Sequence, residues 1–178
     1  MDFQDIIFRL NRYWAKQGCG LMPLGGAGRA VFAAANGAGE LWLAGAARRG
    51  PADAGRRLAG RYLYRIFLRP APPDVRKLFL QVLKTAGVDR AEHDLRWAAS
   101  DGEASRGWTV LLDGLPLASF DYLLSGSGGG ARPAGVEIVI GLERLALASQ
   151  RRKKPADLAW AGRLTYGELH PAEGGEGA

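Results

Sequence analysis

The segment Val136-Glu137-Ile138-Val139-Ile140 constrains this chain most. It reads as a short buried strand, and Gly141 turns it directly into a helix running from Leu142 to about Gln150. A buried strand lies inside a sheet, so the rest of the chain has to supply its neighbours. Tyr62, Tyr64, Ile66 and Leu68 alternate with Leu63, Arg65, Phe67 and Arg69, a strand with one apolar and one mixed face. Pro70 and Pro72-Pro73 close it and open a helix, since proline suits a first helical turn. Val75, Leu78, Phe79, Val82 and Leu83 form the buried stripe of that helix, and Gly87 stops it. His93 to Ala98 reads as another strand. Trp108 to Leu112 and Leu115 to Leu124 read as a hairpin about the Asp113-Gly114 turn.

The chain opens on an amphipathic helix. Phe3, Ile6, Ile7, Leu10, Tyr13 and Trp14 recur on one face, Asp2 is placed to cap it, and Gly18 suits its end. From about Pro23 to Gly60 the sequence is rich in Gly and Ala with a weak pattern, and short strands joined by long loops are expected there. Ser125 to Gly130 is Gly-rich and expected to be flexible. No internal repeat is present. Strands grouped around two or three helices give one α+β domain over residues 1–170, a mainly antiparallel sheet flanked by helices, with a disordered tail at 171–178.

Composition narrows the setting. A chain of 178 residues with 47% hydrophobic content supports one sizeable core. The single cysteine, Cys19, excludes an internal disulfide and reads as a packed residue at a helix end. Met1 to Asp5 carries acid rather than the basic start of a signal peptide, and no stretch approaches a membrane span, so a cytoplasmic setting is the default expectation. The formal net charge of +6 comes mainly from arginine. It fits a polyanionic partner such as RNA or a nucleotide, and it equally fits the composition of a GC-rich genome. His93 and His170 lack the Cys or acidic companions of a metal site.

Several segments together carry a resemblance. Gly141-Leu142-Glu143-Arg144-Leu145-Ala146 follows the buried strand, Phe3-Gln4-Asp5 leads through Arg12-Tyr13-Trp14-Ala15-Lys16-Gln17-Gly18-Cys19, and Gly26-Ala27-Gly28 follows. Arg69-Pro70-Ala71-Pro72, Glu92-His93-Asp94-Leu95-Arg96 and Thr165-Tyr166-Gly167-Glu168 complete the set. In this order they resemble the catalytic α subunit of bacterial glycyl-tRNA synthetase, a class II aminoacyl-tRNA synthetase. The family's later helical extension has no counterpart here.

The resemblance implies a class II synthetase-like antiparallel sheet and ATP-dependent amino-acid activation, with ATP and Mg²⁺. That reaction brings a carboxylate to a phosphate, so it needs fixed positive charge, and arginine supplies it in bidentate form. By resemblance Arg144 is the motif 3 arginine, in a first helical turn whose N–H groups add to the positive field; a surface arginine paired with a carboxylate is the plainer reading. Arg48 or Arg49 corresponds to the motif 2 arginine, and Tyr62 to an adenine-stacking aromatic or an ordinary sheet residue. Glu137 and Glu143 correspond to carboxylates that would hold Mg²⁺, unless Glu143 only pairs with a helix neighbour. Glu103, Ser119 and Asp121 fall where the amino-acid substrate would be held.

The chain departs from the family where substrate would be gripped. Leu63, Tyr64 and Arg65 replace glutamines around an aromatic; Ala99 to Glu103 keeps only the last acid of an acidic run; Ser119, Asp121, Leu124 and Ser125 replace Gln, Thr, Gln and Gln. Losing placed polar groups changes which substrate is positioned. The expected function is therefore an ATP-dependent ligase with altered specificity, or a catalytically inactive paralogue that binds a nucleotide, RNA or a protein. The family's α subunit pairs with itself through its first helix and leaves most tRNA recognition to a β subunit. A homodimer and a β-like partner are thus implied, and the Phe3–Trp14 face fits either the core or such a dimer. Arg151 to Lys154 reads as an RNA backbone contact or as a solvated helix end.

Overall fold

A computed structural model of the chain describes residues 1–24, 40–53, 58–102, 105–125 and 132–171. In chain order the elements are α1 (Phe3–Lys16), β1 (Gly20–Leu21), β2 (Leu41–Arg48), β3 (Tyr62–Arg69), α2 (Val75–Thr85), β4 (Leu95–Gly102), β5 (Ser105–Leu112), β6 (Leu115–Ser125) and β7 (Arg132–Gly141). There follow α3 (Leu142–Gln150), β8 (Ala159–Ala161), β9 (Leu164–Thr165) and α4 (Tyr166–Leu169), with 3₁₀ turns at Pro51–Asp53, Arg90–Glu92 and Pro155–Asp157. The Gly26-Ala27-Gly28 loop, Glu103, the glycines after Ser125 and the tail from residue 172 lie outside the described residues.

Seven strands form one sheet in the order β1-β2-β3-β7-β6-β5-β4. β1 joins β2 in parallel, and every other pairing in it is antiparallel. The strand at Val136–Ile140 is central, as a strand buried on both faces must be. β8 and β9 form a separate two-stranded ribbon.

Strand side chains alternate between faces, and α1, α2 and α3 all lay their apolar stripes on the same one. Phe3, Ile6, Leu10 and Trp14 from α1, Val75, Phe79, Val82 and Leu83 from α2, and Leu142, Leu145 and Ala146 from α3 are buried there. They meet Tyr64, Ile66 and Leu68 of β3, Val136, Ile138 and Ile140 of β7, and Ala118 and Phe120 of β6. The Phe3–Trp14 face therefore belongs to the core. Local signals set the ends. Asp2 and Asp5 form a reciprocal capping box on α1, and Gly18 follows its last turn at φ +93°. Asp113 and Gly114, at φ 52° and 78°, make the hairpin turn between β5 and β6.

The main difference from the sequence reading is β2, a full eight-residue strand in the region read as weakly patterned. Its Ala and Gly have low strand preference, and pairing with β3 along its whole length decides the conformation. Gly45 is required there, because a Cβ would run into the Met22 carbonyl that crosses β2. β4 starts at Leu95 rather than His93, since Arg90–Glu92 turns the chain and His93 Nδ1 lies 2.8 Å from Asp113 Oδ2. β7 reaches back to Arg132 by pairing with β6. Cys19 is buried, which pushes its thiol up to about 12 and keeps it protonated at neutral pH. Among the described residues no helix is long and apolar enough to cross a membrane.

Candidate active site

The helices cover one side of the sheet, and a different set of side chains alternates to the other. Directly paired residues of an antiparallel ladder share a face. One row across the sheet runs Gly45, Arg65, Val139, Ser119, Thr109, and the next runs Leu43, Phe67, Glu137, Asp121, Gly107. Three residues expected from sequence, Glu137, Ser119 and Asp121, are thus brought together on adjacent strands β7 and β6. Arg65 stands beside them on β3, and Ser119 and Asp121 are half-buried.

The centre of this face is ionic. Arg65 Nη1 donates to Glu137 Oε1 at 2.8 Å, and Arg65 Nη2 pairs with Asp53. All three residues are buried, Glu137 completely. Such an arrangement is stable only because each charge has an opposite partner within hydrogen-bond reach. Asp53 comes from the segment between β2 and β3, which folds back onto the face. Asp53 accepts the Gly50 N–H at 3.1 Å, and Leu58 packs on Leu63 and Val139. Arg49 ties the same segment together by donating to the Leu58 carbonyl and, at 3.1 Å, to the Asp53 carbonyl. Further along the face, Leu24 and Phe67 form an apolar patch with Met22, Leu41, Leu43 and Leu123.

Glu143 has a different setting from Glu137. Its Oε1 accepts the backbone N–H groups of Arg61 at 2.7 Å and Tyr62 at 3.0 Å, and the Tyr166 hydroxyl at 2.6 Å. Burial first, then the bond to Glu143, raises the Tyr166 hydroxyl above the ordinary tyrosine value, so it remains a donor. Gly60, at φ +111°, lies so close that a Cβ would strike the Glu143 carboxylate. Glu143 is therefore a connector between α3, the start of β3 and α4. Glu137 and Glu143, both expected to hold Mg²⁺, thus sit in different settings: Glu137 shares the face with Asp121, and Glu143 binds the start of β3 and α4.

The expectation for Tyr62 is corrected. Its parity along β3 is that of Tyr64 and Ile66, so it points to the helix-covered side. There it packs with Phe3, Trp160, Tyr166 and His170, its hydroxyl 3.0 Å from His170 Nε2. It is a packing aromatic rather than an open adenine platform. Arg48 pairs opposite Tyr62, is exposed, and shares that side of the sheet. Arg144 lies in the first turn of α3, just past the end of β7, and its Nη2 donates to the Leu112 carbonyl at 2.6 Å. Its Nε is buried without a partner among the described residues.

Sequence reasoning missed Arg65 and Asp53 as site residues. Arg65 carried a signal, a charge inside a strand that is otherwise apolar over six positions, with Tyr64 and Ile66 buried on either side. Asp53 carried none, because only folding of its segment brings it to Arg65.

The comparisons with known proteins agree in direction. The family "Glycyl-tRNA synthetase alpha subunit" matches residues 46–177. Two solved structures of Desulfitobacterium hafniense pyrrolysyl-tRNA synthetase superpose on the chain. PylSc does so with a TM-score of 0.61 at 13% identity, over 92% of this chain and 72% of its own. A second has a TM-score of 0.62 at 12% identity, over 93% and 75%.

Proposed function

Because the chain belongs to the glycyl-tRNA synthetase alpha subunit family and has the class II aminoacyl-tRNA synthetase fold, we propose that it activates an amino acid with ATP, with a specificity other than the family's. The reading is carried by the β7–α3 junction, where Glu137 lies buried on the face opposite the helices and Arg144 retains a buried Nε–H with no acceptor among the described residues. In activation, an amino-acid carboxylate oxygen bonds to the α-phosphorus of ATP as the bond to pyrophosphate breaks, and Mg²⁺ supplies charge to the phosphates. Arg144 would hold the departing phosphates from the first turn of α3. Glu137 would face the Mg²⁺, and Asp121 and Ser119 would orient the amino acid. Arg65, which stands where the resemblance puts a glutamine-bearing strand, would together with Asp53 reshape what the floor accepts. Transfer to tRNA would fall to a β-like subunit.

One observation favours the second reading, a binding module without catalysis. Arg49 and Arg65 already donate to the segment that carries Asp53 and Leu58, and that segment lies on the face a nucleotide would use. Calorimetry with ATP–Mg²⁺, followed by ATP–pyrophosphate exchange across the twenty amino acids, separates the two. Exchange with a restricted set of amino acids, lowered about 100-fold by Arg144→Ala, is expected. ATP binding without exchange supports the binding module, and silence in both from folded protein removes the enzyme.

We also propose self-association along α1 and β1. Phe8 is 57% and Leu21 46% exposed, and β1 is the edge strand of the sheet among the described residues. Sedimentation should show a dimer that Phe8→Glu converts to monomer; a wild-type monomer throughout the concentration series would refute it.

A further inference from the structure

The peptide that joins Leu112 to Asp113, at the tip of the β5–β6 hairpin, is held from both sides. It is trans, so its C=O and its N–H point in opposite directions. On one side the Asp113 N–H donates to the Asp94 carbonyl at 2.8 Å. On the other the Leu112 carbonyl accepts from Arg144 Nη2 at 2.6 Å. The plane of this one peptide therefore fixes where Arg144 finds its acceptor, and residues just ahead of β4 fix the plane. The Leu112 side chain is fully buried, so the strand end is anchored in the core and the tip beyond it is what these bonds restrain.

The Asp113 side chain fastens the same contact. Its Oδ1 accepts the Asp94 N–H at 2.9 Å, and its Oδ2 lies 2.8 Å from His93 Nδ1. The hydrogen bond from His93, the Asp94 amide and the nearby charge of Arg144 hold the Asp113 carboxyl below the usual carboxylate range. An ionised carboxylate only accepts, so His93 Nδ1 carries the hydrogen between them. Asp113 sits at φ 52°, a left-handed conformation that Asp and Asn tolerate. The 3₁₀ turn at Arg90–Glu92 adds a second tie: Arg151, the residue that caps the end of α3, donates to Glu92 at 2.7 Å. The short segment Glu92 to Asp94 thus braces α3 twice, directly at its last turn and through the hairpin tip at its first.

We infer that His93 and Asp113 are positioning residues for Arg144. They hold the Leu112–Asp113 peptide so that its carbonyl occupies Nη2, which leaves the Arg144 Nε–H, buried and without an acceptor among the described residues, for an oxygen of the ligand. The inference rests on the reading of Arg144 as the side chain that holds phosphate. A guanidinium binds phosphate in a planar fork, so fixing that plane in advance removes a step of reorganisation from the reaction. Neither His93 nor Asp113 touches substrate in this arrangement. Their loss should act on the phosphate end of the reaction and spare the amino acid.

The test uses the full chain, labelled with ¹⁵N. The Arg144 Nε–H resonance is identified by its loss in Arg144→Lys, and its exchange with water is measured. Exchange should be at least about fivefold faster in His93→Ala and in Asp113→Ala, because the local contact opens. It should stay near the wild-type rate in His93→Asn, which keeps a donor in the place of Nδ1. The same holds for Arg96→Gln, which removes only an exposed ion pair with Asp94. ATP–pyrophosphate exchange on the same proteins reads the consequence. The KM for pyrophosphate should rise about tenfold in the two alanine variants, with the amino-acid KM within about twofold of wild type, since a small misplacement of one group is costly. His93→Asn should recover it. If circular dichroism shows that an alanine variant does not fold, Asp113→Asn replaces it, keeping the turn while giving up the charge and one acceptor oxygen; faster Nε–H exchange is expected there too. Faster Nε–H exchange in a protein without pyrophosphate exchange would support the clamp and remove the activation reading, so the two fail separately. Unchanged Nε–H exchange in folded variants, or equal rises in both KM values, would overturn the inference.

Discussion

Arg65→Met is expected to lower folding stability by about 3–5 kcal/mol, because it removes the cation that two buried carboxylates share. Glu137 is fully buried, Asp53 is 1% exposed, and Arg65 is the cation between them. Their attraction in isolation offsets a large desolvation cost, so the intact group adds little net stability, while the broken one is strongly unfavourable. For a domain whose total is on the order of 5–15 kcal/mol, such a loss is a large fraction. Urea unfolding at neutral pH reads the loss. Adding Asp53→Asn and Glu137→Gln to Arg65→Met should recover most of the loss. If Arg65→Met unfolds like wild type at neutral pH, the ionic centre is not buried in solution as it is here.

Glu143→Ala should cost about 3–4 kcal/mol, from three donors left without their acceptor at up to 1–3 kcal/mol each. The Arg61 and Tyr62 amides and the Tyr166 hydroxyl all converge on one carboxylate. The change would also loosen the start of β3 from the N-terminus of α3, and so displace the segment carrying Asp53 from the helix carrying Arg144. Hydrogen exchange at Arg61 and Tyr62 gives a direct readout, expected to quicken in Glu143→Ala and less so in Glu143→Gln, which keeps one acceptor oxygen. Unchanged protection of both amides would contradict the connector role. The Tyr166 contribution has a defined pH window. Its hydroxyl is raised above the ordinary value, so its stabilisation is present below about pH 10, where unfolded tyrosine titrates, and is lost as pH rises further.

Much of the scaffold was legible in the residues alone. The stripes of α1 and α2, the turn at Asp113-Gly114, and the passage from Val136–Ile140 into a helix at Leu142 were all readable, and so was the likeness to the synthetase family. Each is a short-range signal: a repeat of 2 or 3.6 residues, a capping side chain, or a glycine at positive φ next to the element it ends. β2 escaped because its Ala-Gly-Ala-Ala run has little strand preference, and a partner strand imposes its conformation.

The site divides along the same line. Sequence by itself marked the polar residues in the pattern: Glu137 in the central strand, Glu143 and Arg144 in the first turn of α3, and Ser119 and Asp121 on the hairpin. Tertiary structure decided what each one meets. Strand register, set between residues far apart in the chain, placed Tyr62 on the helix side and Glu137 beside Arg65, 72 positions away. The fold-back of one segment brought Asp53 onto Arg65, and the approach of Gly60 brought the Arg61 and Tyr62 amides to Glu143. A local pattern records which way a side chain alternates, but the partner opposite it depends on which strands pair and in what register, and that is settled only when the whole core closes.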